Sequence, residues 1–292
     1  MGSGPGSLKP RGRLADIGGR RMHWVEAGPA KGAPMVLLEA GSFGFSADWA
    51  VVQEKLADRG LRSIAYDRAG MGLSDPGPAP RDGLAIATDL EKLLGAIGER
   101  GPFILAGHSM AGLHVHLFAG RNPRQVAGVV LVDAIDPQSA AHPMVQRYAL
   151  HFGRLSRLAA GAAGLGLFKP LKVIGDRIEL THEASLHKRW AFAHGPHNRT
   201  AADEVQQWEP AARQAREAGP LDPAWPVAVV TAGPVRGFSW HKALQAKPAE
   251  ASRHGHIANI AAAGHANLLG RRYAQAVVDA ILHVHGALTN AA

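Results

Sequence analysis

The feature that most constrains this chain is a rhythm of short, almost wholly apolar runs, each closed by Gly or Asp and separated by segments of helical period. The runs are "APMVLLEAG" ending at Gly41, "LRSIAYDRAG" ending at Gly70, "PFILAGHS" ending at Ser109 and "VAGVVLVDA" ending at Ala134. A strand that is apolar on both faces must be covered on both, which is the situation of parallel strands between helical layers. Helical patterning fills 47–59, 83–97 and 110–120 between the runs. The alternation predicts the α/β class, with a mostly parallel central sheet and helices on both faces. In such sheets the chemistry gathers in the loops at the carboxyl ends of the strands.

The rhythm has a prelude and an interruption. "RLADIGGRRMHWVEAG" places two short runs around Gly18-Gly19, the pattern of a β-hairpin. From 137 to 222 the chain becomes Ala/Leu-rich, helical in period and poor in strand residues, which reads as an inserted helical cap. Strands return at 225–234 and 256–265, and a final helix is expected over 271–285. The expected organisation is a flexible Gly/Pro-rich leader over 1–13, a core from 14–136 and 223–292, and the cap over 137–222. A chain of 292 residues, 46% of them hydrophobic, can bury a core of that size.

Composition narrows the chemistry. No cysteine is present, so disulfides, thiol nucleophiles and thiolate metal sites are all excluded. The net charge of +8 is spread along the chain instead of forming blocks, which argues solubility over nucleic-acid binding. No window is long and apolar enough for a membrane span, and the leader lacks the apolar core of a signal peptide; a cytoplasmic location is the expectation.

The chemistry centres on "LAGHSMAG". Ser109 stands where a buried strand turns sharply into a helix, flanked by Gly107 and Gly112. Ala111 breaks the strict G-x-S-x-G pattern. A serine hydroxyl attacks a carbonyl only when a histidine takes its proton and an acid orients that histidine. Of the sixteen histidines, His265 in "AAAGHANLL" closes the last apolar run and falls at the sheet's carboxyl edge. His108, His114 and His116 are too local and read as structural. For the acid, the loop after "PVAVVTAG" offers none, whereas "GVVLVDAIDP" delivers Asp133 at a strand end and Asp136 three residues on. Asp133 is the first choice, Asp136 the second and Glu250 a distant third.

Acyl transfer also needs N–H donors for the oxyanion. The backbone amide of Met110, at a helix start, and that of Ser42, in the glycine-containing loop "LLEAGSFGFSADW", are the candidates. The loop "YDRAGMGLSD" lacks the helix that a dinucleotide site requires, and Asp67 with Arg68 is expected to form a structural pair. "HGPH" at 194–197 is expected in an exposed loop of the cap, and no cofactor or metal is implied.

In their order and spacing, "LLEAGSFGFSADW", "IAYDRAGMGLSD", "LAGHSMAG", "VLVDAIDP" and "AAAGHANLL" resemble the α/β-hydrolase fold superfamily, from about Leu14 to about His285. The resemblance implies Ser109 as nucleophile, His265 as base and later acid, and the amides of Ser42 and Met110 as oxyanion hole. It also implies departures: Ala40 where many members carry histidine, Ala111 for glycine, and Arg236 about where the acid commonly falls. The expected activity is hydrolysis of a small, apolar carboxylic ester, with Trp190, Phe192 and Trp208 available to a pocket or to the cap's own core. Non-hydrolytic chemistry on the same residues, such as C–C lysis or cofactor-free peroxide chemistry, and a slow-turnover ligand-binding protein are the alternatives.

Overall fold

The computed structural model describes residues 11–30, 34–171, 175–235 and 239–290. Eight strands form one sheet. They are β1 (Arg13–Asp16), β2 (Arg21–Ala27), β3 (Met35–Glu39), β4 (Ser63–Tyr66), β5 (Phe103–His108), β6 (Val126–Val132), β7 (Val227–Ala232) and β8 (Gly255–Ile260). Their spatial order is β1-β2-β4-β3-β5-β6-β7-β8. The hairpin β1–β2 runs around Gly18 and Gly19, both at positive φ, and β2 joins β4 antiparallel; every later pairing is parallel.

The apolar runs explain the layers. Side chains alternate across a strand, so Val36, Leu38, Ile104, Ala106, Val130 and Val132 face one layer, where they pack on α1 (Ala50–Asp58) and α9 (Ala274–Thr289). Leu37, Phe103, Leu105, Val129 and Leu131 face the other, against α2 (Gly83–Ala96) and α3 (Ala111–Arg121). Both sets are essentially without solvent exposure. Edge strand β8 departs from the expectation: it ends at Ile260 and its residues are half-buried or exposed, because it has a neighbour on one side only. His265 therefore lies five residues beyond it, in a loop.

Between β6 and β7 the chain forms α4 (Pro143–Gly164), α5 (His182–Ala193), α6 (Gly195–Gln206) and α7 (Trp208–Glu217). Small residues let α4 approach α6 closely: Gly153, Ser156, Ala160 and Ala163 are its buried stripe. One helix escaped the sequence reading. Residues ahead of β8 that look merely polar form α8 (Ser239–Ala251), with Pro248 inside it, and Ala249 is buried in the core. A proline near the end of a mostly polar segment hides a helix whose stability comes from packing. No described helix is long and apolar enough to cross a membrane.

Candidate active site

Ser109 follows β5 directly and has φ of 60°, a left-handed conformation that a non-glycine residue adopts only when its surroundings enforce it. They do so here: the Ser109 N–H donates to Val132 O, and Ser109 O accepts from the N–H groups of Gly112 and Ile135. The flanking glycines have steric reasons. A Cβ on Gly107 would lie 2.7 Å from Val115 Cγ2, and one on Gly112 would lie 2.5 Å from Ile135 O. Ala111, where the strict motif has glycine, is fully buried between them.

Asp133, just past β6, also has positive φ, 41°. Its carboxylate accepts from His265 Nδ1 at 2.6 Å and from the Ala232 N–H at 3.2 Å. His265 Nε2 lies 2.9 Å from Ser109 Oγ. Since an ionised carboxylate only accepts, Nδ1 carries the proton and Nε2 is left to accept from the hydroxyl. Burial raises the Asp133 carboxyl pKa, but the hydrogen bond and charge of His265 outweigh it and hold the group below the ordinary carboxylate range. Such an arrangement is able to strip a serine hydroxyl of its proton.

The other two acids lie elsewhere. The Asp136 carboxylate accepts from the Gln138 and Ser139 N–H groups and caps the turn that follows, as a short Asx side chain does where β6 hands over to a loop. Glu250 is an exposed residue of α8, and the carboxylate that His265 Nδ1 meets is that of Asp133. Arg236, at the position where the acid commonly falls, lies outside the described residues.

The glycine-containing loop after β3 presses on the serine. A Cβ on Gly41 would lie 2.7 Å from Ser109 Cβ and 2.9 Å from His108 O, so only glycine lets this backbone pass. Ser42 follows at once, and its hydroxyl meets Met110 Sδ at 3.5 Å. Neither the Ser42 nor the Met110 amide donates a hydrogen bond to any acceptor among the described residues.

Two cations from elsewhere in the chain, Arg68 and Lys188, clamp this loop, and a buried histidine, His197, packs against its Phe45; the sequence reading placed none of the three here. Arg68 is fully buried and does not pair with Asp67. Its guanidinium donates to Ala40 O and Gly41 O and pairs with Glu39 at 2.7 Å and Glu204 at 2.8 Å. Asp67 instead pairs with His23 at 2.9 Å and accepts the Ser46 and Leu73 amides. Consecutive residues at a strand end point to opposite faces, which is why the expected pair is split. Lys188 of α5 donates to Phe43 O at 3.0 Å and pairs with Asp48. His197, expected on the surface, is buried at the start of α6, where its Nδ1 accepts the Gly72 N–H; burial drives its pKa down to about 3. The legible signal was Glu39, a lone acid in an apolar strand that required a buried partner.

His108 is a further unanticipated neighbour. Its Nε2–H donates to His265 O at 2.9 Å, and its ring lies 4.7 Å from the His265 ring. Burial, with the charge of His265 second, pushes its pKa down to about 3, so it stays neutral. His116 donates to Gly112 O inside α3, a structural role.

A cavity of 740 Å³ opens above Ser109, lined on one side by Met144, Tyr148 and Phe152 of α4 and Trp208 of α7, and on the other by Trp240 and His241. Of the three aromatics expected in the inserted segment, only Trp208 reaches it; Trp190 stacks on His194, and Phe192 stacks on Phe168.

The family model for the α/β hydrolase fold matches residues 34–165. Among characterised proteins, the chain is 33% identical over 162 residues to a cis-3-alkyl-4-alkyloxetan-2-one decarboxylase of Xanthomonas campestris, covering 52% of each chain. It is 32% identical over 127 residues to a non-heme chloroperoxidase of Streptomyces lividans, covering 43% of this chain and 45% of that one. The aligned part thus spans about half the length of these curated relatives. Among solved structures, an enol-lactonase of Burkholderia xenovorans overlays with a TM-score of 0.67 at 16% identity, over 94% of this chain and 100% of that one. The haloalkane dehalogenase DbeA of Bradyrhizobium elkani overlays with a TM-score of 0.71 at 18% identity, over 94% and 98%. With β3 to β6 inside the region that the family model matches and nearly the whole chain overlaying such enzymes in space, this chain has the α/β-hydrolase fold.

Proposed function

We propose that the protein is a serine hydrolase of carboxylic esters with Ser109 as nucleophile, His265 as general base and Asp133 as the acid that orients it. The observation that carries the reading is the unbroken relay of hydrogen bonds from Ser109 Oγ through His265 to Asp133. His265 Nε2 takes the hydroxyl proton as Oγ attacks the acyl carbon, and the Met110 and Ser42 amides receive the charge that develops on the carbonyl oxygen. The imidazolium, held by Asp133, then protonates the departing alkoxide. Water repeats the sequence on the acyl-enzyme and frees the acid. Neutral His108 supports the His265 loop without opposing the positive charge that forms on the ring.

The helices of 137–222 act as a cap in this reading, and the aromatic and aliphatic lining they give the cavity favours apolar acyl or alcohol groups of small to medium size. Epoxide and haloalkane chemistry through an alkyl-enzyme requires a carboxylate nucleophile, and Ser109 occupies that place. A panel of p-nitrophenyl esters of increasing acyl length, assayed with the wild type and Ser109→Ala, tests the proposal: turnover that vanishes in the variant supports it, and equal turnover in both overturns it. The likeness to the Streptomyces chloroperoxidase favours one second reading, attack of hydrogen peroxide in place of water on the same acyl-enzyme. Peracid formed from an ester and peroxide in competition with free acid is its signature.

A further inference from the structure

Helix α4 has two apolar faces, and only one of them is used. Eight of the twelve large hydrophobic residues exposed among the described residues fall between 144 and 171. Scattered exposed leucines are ordinary on a soluble protein, but a contiguous set is not. Met144, Tyr148, Leu155 and Leu158 are 54%, 60%, 64% and 72% exposed. At about 100° per residue they fall within a stripe of about 80° on the helix surface, turned away from the small residues that meet α6. Leu165 continues the stripe past the helix end.

The charge carried by this segment of the sequence has one sign. Between Asp136 and Asp176 the sequence has no carboxylate and five cations: Arg147, Arg154, Arg157, Lys169 and Lys172. The three arginines lie along one border of the stripe. Its other border runs into the cavity above Ser109, because Met144 and Tyr148 belong to both. An apolar stripe edged by cations is the pattern of a helix that lies in the headgroup region of a bilayer, its apolar side chains dipping into the acyl boundary and its cations meeting anionic lipids.

We propose that the exposed face of α4 docks on anionic membrane surfaces, which sets the mouth of the cavity against the lipid phase from which an apolar ester would enter. A second copy of the chain fits this face poorly, since an antiparallel two-fold contact of α4 would set the two rows of arginines side by side with no carboxylate of the helix between them. The docking itself stands independently of the chemistry assigned to Ser109.

The test is co-sedimentation of the purified protein with phosphatidylcholine vesicles, with and without phosphatidylglycerol, at low salt and at about 0.5 M salt, where the screening length is a few ångströms. Wild type is compared with L155Q/L158Q and with R154E/R157E, none of which lines the cavity; circular dichroism and turnover of a water-soluble ester establish that both variants fold. The expected result is binding to phosphatidylglycerol vesicles that salt weakens and that each double variant weakens at least tenfold. Three outcomes overturn the proposal: no binding by the folded wild type, binding unchanged in L155Q/L158Q, or a wild-type dimer in sedimentation velocity that L155Q/L158Q abolishes, which would assign the face to a second copy.

Discussion

Substituting Gly41 by alanine adds one methyl group at the most crowded point of the candidate site. That carbon would stand 2.7 Å from Ser109 Cβ, 2.9 Å from His108 O and 3.3 Å from Ser109 Oγ. None of these neighbours has room to yield. Ser109 and His108 are continuous with β5 at the centre of the sheet, and the Ser109 backbone is pinned by three hydrogen bonds. The loop must therefore move outward by several tenths of an ångström, drawing the Ser42 amide away from the carbonyl oxygen it is to receive. Loss of one oxyanion donor costs about 3 to 4 kcal/mol, or roughly 10² to 10³ in kcat. Overpacking costs a further ~1 to 3 kcal/mol of stability, partly offset by the lower entropy of an unfolded chain with alanine in place of glycine. Initial rates on a p-nitrophenyl ester, with a thermal melt as control, measure both effects. A Gly41→Ala protein that folds and keeps kcat within about threefold of wild type would refute the assignment of this loop to the oxyanion.

Three further outcomes follow from the geometry. Asp133→Asn removes the negative charge that His265 Nδ1 meets and is expected to lower kcat by about 10³ to 10⁴ without unfolding the protein, whereas Asp136→Asn, at a turn cap, leaves kcat within about tenfold; stopped-flow or steady-state rates on one ester separate the two. Arg68→Met strands the buried carboxylates of Glu39 and Glu204, costing about 3 to 5 kcal/mol in urea unfolding, while Arg68→Met with Glu204→Gln recovers part of that loss; equal stability of wild type and Arg68→Met would contradict the clamp. Acid is expected to destabilise the fold from pH 6.5 downward. His108 and His197, held at a pKa of about 3 against an ordinary 6.5, take protons first in the unfolded chain. Their stability is fully present above 6.5 and is lost as the pH falls toward 3, the loss reaching about 4 kcal/mol for the two at pH 5, with His23, whose pKa burial lowers but Asp67 raises on balance, acting in the opposite sense. Urea midpoints that stay level between pH 7.5 and pH 5 would sink this reading.

The layered sheet was legible because β3, β5, β6 and β7 carry apolar residues at both odd and even positions, a pattern few other environments tolerate. That Ser109, His265 and Asp133 would meet was legible from the setting of Ser109 between such a strand and a helix and from the lack of any acid in the sequence "GPVRGFSW" after β7. Burial and partner choice were not. Nothing in "YDRAG" tells that Asp67 turns to His23 and Arg68 to Glu39 and Glu204, because those partners lie 29 and 136 residues away from Arg68 in the chain. His197 looks like a polar loop residue until α6 folds down onto the loops of Phe43 and Gly72. Helix α8 was hidden by Pro248 and by polar residues whose helical state is decided by packing against β7. The residues that carry the candidate chemistry were local signals, whereas those that hold the loop beside it were tertiary ones.

The most direct measurement of the central claim is labelling of the purified protein with a fluorophosphonate, read by intact mass and peptide mapping, beside Ser109→Ala and His265→Ala. The account predicts a single adduct on Ser109, absent from Ser109→Ala and formed at least a hundredfold more slowly in His265→Ala. A folded wild-type protein that gains no adduct, or gains one on another residue, would contradict it.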